Sequence, residues 1–324
     1  MTDHGLLRAT LDKFPSLTVH VLGDVIVDLY TSCTLVGTMS KTAALSVQRG
    51  AQTAYVGGAG IVAKHIAAAG ATVTLTTLLG QDAAAEFART DLLAAGVHLT
   101  AVPRSPTPTK ERFVIAPGGQ AVLQVETWDA ASLDAPRTAV LMDAVAGCAA
   151  DVVVVADFRH GIFTTATTPR LLAAIPSGAL KAADSQLSSR WGMILDFPGF
   201  DLLTPNEREA RFALGDQDAP APVVATRLYL QASCRHLLLT MGARGLWAIE
   251  PHGEFSLPAY ATHVVDPIGA GDALLAYAAL ALRVTDDLQV AATLGSLAAA
   301  VACETAGNVP VTPEAVDQKI EALR

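Results

Sequence analysis

Residues 266–272 read Asp-Pro-Ile-Gly-Ala-Gly-Asp, and residues 273–282 behind them are all apolar or aromatic. The two stretches together predict a glycine-rich loop that enters a buried helix. Glycines let a backbone approach a ligand closely and direct successive N–H groups at one point. A helix N-terminus adds partial positive charge at the same place. The segment therefore predicts an anion-binding turn at the start of a core helix.

Asp272 places a carboxylate beside this predicted anion site, where it would repel a phosphate unless it had a chemical task. One such task is that of a general base, which takes a proton from a hydroxyl while the turn stabilises charge on a transferring phosphoryl group. The alternative is that Asp272 only caps the helix and the glycines form a turn, since short glycine motifs also occur without a ligand.

Short apolar strands alternate with helix-like segments along the chain. Strands are predicted at 18–24, 152–156, 201–204 and 237–240, and helices at 61–69, 83–95, 136–146, 169–174 and 207–214. This alternation indicates a parallel sheet covered on both faces. Ligands of such sheets bind beyond the carboxyl ends of the strands. The polar or glycine residues predicted there are Asp24, Asp157, Asn206 and Gly242.

Two segments, 31–56 and 108–126, break the alternation, because they are irregular, rich in Thr, Ser, Val and Gln, and lack helical periodicity. They predict short antiparallel strands that form a small β lid over the carboxyl edge of the sheet. No linker or internal repeat divides the sequence, so residues 1–324 are predicted to form one α/β domain with this lid as an appendage.

The composition excludes several classes of protein. A hydrophobic content of 51% with 16% charged residues predicts a large core, and a formal net charge of −9 argues against nucleic-acid binding. The uncharged run 290–303 is shorter than the roughly 20 residues that span a membrane, and no secretory leader is predicted. The four cysteines form no CxxC pair, which argues against a zinc site or a disulfide framework. A cytoplasmic enzyme is expected.

Three further motifs each allow two interpretations. Gly57 and Gly58 could bring backbone amides next to a sugar, or form a tight turn between lid and helix. Asn206 and Glu209 could act as water-mediated ligands of a magnesium–phosphate complex, although Thr204 or Asn206 could simply cap the helix. The segment 240–245, Thr-Met-Gly-Ala-Arg-Gly, could pass under a nucleotide or form a glycine hairpin.

Lys110 and Arg112 are two residues apart on a predicted lid strand, so their side chains point the same way. Two neighbouring cations suit a sugar phosphate or a carboxylate. The alternative is that they are solvated charges on the lid surface.

Taken in order along the chain, these motifs resemble those of the PfkB/ribokinase-type carbohydrate kinases over nearly the whole length. The segment 266–272 looks like the carboxyl-terminal signature of that family. Gly57 and Gly58, followed by glycine and alanine positions up to Gly80, match the spacing of the amino-terminal signature, and Asn206 with Glu209 matches its NxxE element. The resemblance implies a ribokinase-like three-layer α/β/α sandwich, with a mostly parallel central sheet and a small β lid.

The resemblance also implies roles for individual residues. Asp272 would be the catalytic base, the amides of Gly269, Ala270 and Gly271 would form the anion hole, and Asn206 and Glu209 would be associated with Mg²⁺. ATP would be bound by Thr240, Gly242, Gly245 and Asp266. The sugar or its phosphate would be bound by Asp24, Asp28, Gly57, Gly58, Lys110 and Arg112.

Within the family the chain is most similar to the kinases of D-glycero-D-manno-heptose 7-phosphate, and it departs from them on the acceptor side. Ile61 stands where the family signature has an asparagine that touches sugar hydroxyls, Leu29 stands where an arginine is usual, and the lid stretch 40–44 is altered. An ATP- and Mg²⁺-dependent kinase with a changed acceptor is therefore expected. The alternatives are a kinase of a neutral nucleoside or sugar acid, and a catalytically silent sugar- or nucleotide-binding homologue. Pairing of two lids would cover their strand edges, so a homodimer is also predicted.

Overall fold

The computed structural model describes residues 3–38, 45–115, 120–129, 133–187 and 193–323. The altered lid stretch 40–44 lies outside these ranges. The helices are α1 (His4–Leu11), α2 (Ala59–Ala68), α3 (Ala83–Ala94), α4 (Ala135–Ala146), α5 (Thr168–Ala174), α6 (Glu207–Leu214), α7 (Ala221–Ala232), α8 (Ala270–Thr285), α9 (Leu288–Cys303) and α10 (Pro313–Ala322). The strands are β1 (Thr18–Gly23), β2 (Val25–Thr38), β3 (Leu45–Gly58), β4 (Thr72–Leu79), β5 (His98–Pro103), β6 (Thr109–Ile115), β7 (Gln120–Thr127), β8 (Val152–Asp157), β9 (Leu180–Ser185), β10 (Leu202–Leu203), β11 (His236–Thr240), β12 (Leu246–Glu250) and β13 (Gly253–Leu257).

The large sheet has the strand order β13-β12-β11-β10-β9-β8-β1-β4-β5 in the described part of the chain. Every pairing from β11 to β5 is parallel, whereas β12 and β13 add antiparallel strands at one edge. The predicted α/β class with a mostly parallel central sheet is confirmed.

Helices cover both faces of this sheet, and strand β8 shows how the sequence achieves it. Val152 and Val154 pack into one core with helices α1, α2, α3, α8, α9 and α10, whereas Val153 and Val155 pack into a second core with α4, α5, α6 and α7. Successive side chains of a strand point to opposite faces, so an uninterrupted run of valines serves both cores. The three-layer sandwich follows from this pattern.

The helix predicted behind the glycine-rich turn is confirmed as α8, and all of its residues from Ala273 to Leu282 are buried. It packs along α9, which contains the uncharged run 290–303. No helix among the described residues is long and apolar enough to span a membrane. Helix α7 begins at Ala221, between Pro220 and Pro222, because proline is tolerated in a first helical turn.

The lid is a four-stranded sheet in the order β3-β2-β6-β7. Its strands differ from the prediction, because β2 and β3 are each 14 residues long and β2 pairs in parallel with β6. The lid also starts earlier than predicted, at Val25, since only Asp24 separates β2 from β1. Strand β3 ends at Gly58 and α2 begins at the next residue. The lid is therefore a direct extension of two core elements.

Candidate active site

A cavity of about 400 Å³ lies between the lid and the carboxyl edge of the large sheet, and we call it the central cavity. Three parts of the chain line it. The lid contributes Asp28, Lys110 and Arg112; the strand ends contribute Phe158, Asp184, Gln186, Thr204 and Thr240; and the turn before α8 contributes Pro267, Ile268, Gly269, Gly271 and Asp272. The predicted position of the site, beyond the strand ends and under the lid, agrees with this cavity.

Asp272 lies in the first turn of α8, is 8% exposed and lines the central cavity. Burial raises the pKa of its carboxyl group well above the ordinary value, and the negative charges of Asp184 and Asp28 raise it further, whereas Lys110 lowers it. A carboxylate that favours its protonated form accepts a proton readily once it is ionised. Its position beside an open cavity is the one that a general base requires.

The turn ahead of Asp272 has a conformation that depends on glycine. Gly269 is the N-cap of α8 with a φ of 84°, in the left-handed region that other residues rarely adopt. Gly269 and Gly271 line the central cavity, whereas the Ala270 amide donates a long hydrogen bond of 3.4 Å to the Pro267 carbonyl. The first amides of a helix lack intrahelical acceptors. The geometry therefore favours Gly269 and Gly271 over Ala270 as donors to an anion.

Asn206 and Glu209 form a capping box at the start of α6. The Asn206 Oδ1 atom accepts a hydrogen bond of 2.9 Å from the Glu209 amide, and the Glu209 Oε2 atom accepts one of 2.8 Å from the Asn206 amide. Both residues also line the central cavity. Burial raises the pKa of Glu209 to about 7, and the charge of Asp272 contributes to the shift. The capping interpretation is correct, and it leaves Glu209 positioned to face a ligand.

Asp184 is a site residue that the sequence did not single out. It is in β9, lines the central cavity, and its Oδ1 atom has no hydrogen-bond partner among the described residues. Burial raises its pKa well above the ordinary value, and repulsion from Glu209 and Asp157 adds to this. The Thr204 hydroxyl in the same cavity also lacks a partner within the described ranges. No local motif marks Asp184, because only the folded sheet brings the end of β9 close to Glu209.

The oxygen atoms around Asp184 and Glu209 fit a hydrated Mg²⁺ ion. Mg²⁺ prefers oxygen ligands, keeps several waters and is often held by only one or two carboxylates. No group of three metal-ligating side chains occurs in the part of the chain that the structure describes, so a fully protein-ligated metal does not fit. The unpartnered Asp184 oxygen is the observation that favours a cation here.

The acceptor end of the cavity is built around Asp28. Its Oδ1 atom accepts a hydrogen bond of 2.6 Å from Arg112, whose guanidinium lies 5.4 Å from the Tyr30 ring centroid. Its Oδ2 atom accepts one of 3.2 Å from the Asn308 amide group. A β-carbon at Gly57 would overlap the Asp28 carboxylate, which explains a glycine there. Asp28, Arg112 and the neighbouring Lys110 thus line the cavity together, and Lys110 and Arg112 point the same way, as their spacing predicted.

Three predicted contact residues lie outside the lining of the central cavity as the structure describes it. Asp24 is buried, and its carboxylate accepts hydrogen bonds from the amides of His160 and Ile162, at 3.0 and 3.4 Å. Gly57 makes room for Asp28, and the Asp266 carboxylate accepts a hydrogen bond of 3.0 Å from the Ile268 amide. The structure gives these residues supporting positions, and their direct contact with a ligand stays a prediction.

A second cavity, of about 360 Å³ and mainly apolar, adjoins the first, and we call it the apolar cavity. The predicted nucleotide-binding residues Thr240, Gly242 and Gly245 line it, together with Ala270 and Gly271. Residues Gly242–Arg244 form a short 3-10 turn between the antiparallel strands β11 and β12. Thr240, Gly242 and Gly271 line both cavities, so the two spaces meet at these residues.

A lidded α/β sandwich that holds a carboxylate and a glycine-rich helix start beneath the lid is the arrangement that the kinase-like motifs of the sequence predicted. Residues 17–315 match the family described as pfkB family carbohydrate kinase, and the chain belongs to this family. This is the family that the sequence motifs resemble.

The relatives and structural neighbours are consistent with this family. The chain is 31% identical over 317 residues to the bifunctional protein HldE of Nitrobacter winogradskyi, covering 93% of the chain and 63% of that protein. It is 30% identical over 323 residues to the HldE of Rhodopseudomonas palustris strain HaA2, with 96% and 64% covered. The chain thus spans less than two thirds of these relatives.

Among solved structures, phosphofructokinase-2 from Escherichia coli superposes with a TM-score of 0.79 at 16% identity, covering 95% of this chain and 99% of that one. Arabidopsis thaliana ribokinase, solved with ribose and ATP, gives 0.74 at 17% identity, covering 94% and 99%. At these identities the superpositions show a shared ribokinase-like fold.

Proposed function

We propose that the chain transfers the γ-phosphoryl group of ATP to a hydroxyl of a sugar phosphate similar to D-glycero-D-manno-heptose 7-phosphate. The observation that carries this proposal is the position of Asp272, which lines one cavity together with the lid residues Asp28, Lys110 and Arg112. The relatives named HldE support the choice of a heptose phosphate as the first acceptor to test.

In the proposed reaction Asp272 accepts the proton of the acceptor hydroxyl, and the oxygen attacks the γ-phosphorus. A new P–O bond forms, the bond to the bridging oxygen of ADP breaks, and ADP leaves. The amides of Gly269 and Gly271 stabilise the charge that develops on the phosphoryl oxygens. Burial under the lid keeps water away from the phosphoryl group, which limits hydrolysis.

The cofactors proposed are ATP and Mg²⁺. The nucleoside part of ATP would occupy the apolar cavity, and its phosphates would pass Thr240 and Gly242 into the central cavity. Bound Mg²⁺ would neutralise charge on the phosphates. Asp184 and Glu209 would hold the ion through its water shell, and the capping box with Asn206 would keep the Glu209 carboxylate in place.

A second candidate is a kinase of a neutral acceptor, and one contact favours it. The hydrogen bond between Arg112 and Asp28 commits much of the Arg112 charge within the protein. Among the described residues that line the central cavity, Lys110 is then the remaining positive side chain that can contact an anionic acceptor. Nucleosides and free sugars, which are uncharged, therefore belong among the acceptors to test, together with a sugar acid, which lacks the phosphate but carries a carboxylate.

A coupled ADP-release assay tests the proposal. The acceptors are D-glycero-D-manno-heptose 7-phosphate, fructose 6-phosphate, free sugars, sugar acids and nucleosides, each with Mg²⁺ and with EDTA. Mg²⁺-dependent turnover that is highest with the heptose phosphate is expected. Turnover confined to uncharged acceptors would favour the second candidate, and no turnover with any acceptor would indicate a catalytically silent homologue.

We also propose a cytoplasmic homodimer that pairs through the lid. Strand β7 is exposed along its length, and Val122, Leu123 and Val125 on it are large exposed apolar residues. Leu35 and Leu45 on β2 and β3 are exposed as well. Exposed apolar groups on a sheet with open edges are typical of a surface that is covered by a partner.

A further inference from the structure

We propose that Asn308 determines acceptor specificity, because its carboxamide oxygen accepts a hydrogen bond from a hydroxyl of the acceptor. This inference rests on the proposed function and names one contact of that same site. Asn308 lies in the loop between α9 and α10, is 6% exposed and lines the central cavity. It was not among the residues that the sequence motifs identified.

The contact with Asp28 determines which way the Asn308 amide points. An ionised carboxylate can only accept hydrogen bonds, so the NH₂ group of Asn308 must face it. The observed bond is from Nδ2 to Oδ2 of Asp28, at 3.2 Å. The oxygen atom Oδ1 is consequently turned to the other side. Within the described residues it has no hydrogen-bond partner, although it is buried.

This unpartnered oxygen is close to the chemistry. It lies 3.1 Å from the position that a β-carbon on Gly269 would occupy, which places it beside the turn that leads to Asp272. An acceptor molecule that reaches Asp272 from the Asp28 end must pass between these groups. A hydroxyl of that molecule is a donor and supplies what the buried oxygen lacks.

The loop that carries Asn308 is held in place on two sides. The Val311 amide donates a hydrogen bond of 3.0 Å to the Nδ1 atom of His65 in α2. Burial lowers the pKa of His65 to about 3, so its ring stays neutral and remains an acceptor. The Tyr55 ring packs so closely on Gly307 that a β-carbon there would overlap it. Support of this kind holds a polar contact in a fixed geometry.

Asn308 is also of interest because Ile61 stands at a position where the family signature has a polar residue. Ile61 is in α2 and is fully buried, so it offers no polar group to a sugar. Asn308 brings a carboxamide to the cavity from the loop that is bonded to α2 through His65.

The test compares the enzyme with Asn308→Leu, which removes the polar group at similar volume, and Asn308→Ser, which keeps a hydroxyl. The acceptors are D-glycero-D-manno-heptose 7-phosphate and its single-deoxy analogues, with kcat/KM measured for each. Wild type should prefer the parent sugar to one of these analogues by about 10- to 100-fold. Asn308→Leu should lose that preference, so that kcat/KM for the parent sugar falls about 10- to 100-fold further than kcat/KM for the analogue.

A purely structural role gives a different result. If Asn308 only supports Asp28, Asn308→Leu lowers kcat/KM for all acceptors alike and leaves the discrimination intact, which overturns the inference. Val309→Ala, an exposed neighbour in the same loop, is the matched control and should keep both rate and discrimination. Thermal unfolding of each variant checks that the fold is retained.

Binding titrations separate this inference from the proposed function. If no acceptor is turned over, the proposed function fails, and affinities of the same sugars for wild type and Asn308→Leu are compared instead. A loss of about 10-fold or more for the parent sugar, without a loss for one deoxy analogue, supports the Asn308 contact. Equal affinities in the two proteins, or no binding of any of these sugars, overturn it.

Discussion

Among the described residues, four carboxylates line the central cavity: Asp28, Asp184, Glu209 and Asp272. Arg112 forms an ion pair with Asp28 at 2.6 Å, whereas burial raises the pKa of each of the other three, because it disfavours the charged form. The negative charges of these three groups raise one another's pKa values further. A site of this kind gains most from a bound cation, and this is the physical reason for expecting Mg²⁺ to strengthen nucleotide binding.

Asp272→Asn is expected to lower kcat by about 10²- to 10⁴-fold and to leave ATP affinity nearly unchanged, since the amide keeps the shape of the side chain but cannot take a proton. Steady-state kinetics and ATP titration measure the two effects. Asp143→Asn, at an exposed aspartate of α4, is the control and should behave as wild type. Turnover of Asp272→Asn at the wild-type rate would refute the assigned base.

Lys110→Ala is expected to raise KM for an anionic acceptor by about 10-fold and to change KM for a neutral acceptor little. Removing a partly buried cation weakens binding of a charged group more than of an uncharged one. The same assay measures both values, with Lys13→Ala as an exposed control. An equal effect on the two acceptors would mean that Lys110 does not recognise charge.

The sequence predicted site residues where a local motif signals them and missed those that depend on tertiary structure. Asp272 and Gly269 belong to one glycine-rich turn, and Lys110 with Arg112 follows from strand periodicity. Asp184 reaches the cavity only because β9 lies between β8 and β10. Asn308 reaches it through an irregular loop, and no pattern in the neighbouring residues predicts that position.

At the scale of single elements, helix α6 combines two tasks in its first turn. The capping box satisfies two backbone donors that a helix start would otherwise leave unpaired. The same hydrogen bonds fix the Glu209 carboxylate at the cavity wall. The two interpretations that the motif allowed, a helix cap and a ligand group, are therefore compatible.

The raised pKa of Glu209 predicts a pH dependence of stability without Mg²⁺. Between about pH 4.5 and pH 7 the folded protein keeps a proton on Glu209 that the unfolded chain has lost, so the free energy of unfolding should fall as pH rises through this window. A fall on the order of 2–3 kcal/mol is expected from this group. Denaturant unfolding at pH 5 and pH 8 in EDTA measures it.

Glu209→Gln should show a smaller fall than wild type over the same interval, because its amide does not titrate. Glu86→Gln, at an exposed glutamate of α3, is the control and should follow wild type. Adding Mg²⁺ should stabilise wild type more at pH 8 than at pH 6, since the ion competes with the proton. Identical pH profiles for wild type and Glu209→Gln would contradict the assignment.

Element boundaries were predicted best where capping and periodicity agree. Helix α6 spans the predicted 207–214, because Asn206 caps it and Gly215 ends it in a left-handed conformation. The lid strands were predicted poorly, since their alternation is interrupted by register shifts between Thr31 and Cys33 and between Leu35 and Gly37. Strand β4 reads Thr-Val-Thr-Leu-Thr-Thr-Leu-Leu, which is neither a regular alternation nor a continuous apolar run. Its apolar residues contribute to the cores on both faces of the sheet, and this explains the pattern only once the fold is known.

At the scale of the whole molecule, the exposed apolar residues of the lid predict a dimer. A single charged side chain introduced on the lid surface should prevent that dimer from forming. Leu123→Glu places a carboxylate among Val122 and Val125 on β7, and burying it at an interface would be costly. Analytical ultracentrifugation should show a dimer for wild type and a monomer for the variant. Leu230→Glu on α7, which is also exposed but lies outside the lid, should remain a dimer. A monomeric wild type would refute the pairing.

The way in which the lid is joined to the body has a consequence for the use of ATP. Only Asp24 separates β1 from β2, β3 continues directly into α2, and the Ala59 amide is bonded to the Asp24 carbonyl at 2.9 Å. We expect this junction to act as a short pivot, so that Asp28, Lys110 and Arg112 would move with the lid while Asp272 would stay with the body. Opening of the lid would break the hydrogen bond between Asn308 and Asp28 and separate the base from the groups that orient the alcohol. We expect the protein to hydrolyse ATP only slowly when no sugar is present. Asp272 and the lid residues come together around the reacting groups only when a bound sugar contacts both the lid and the body.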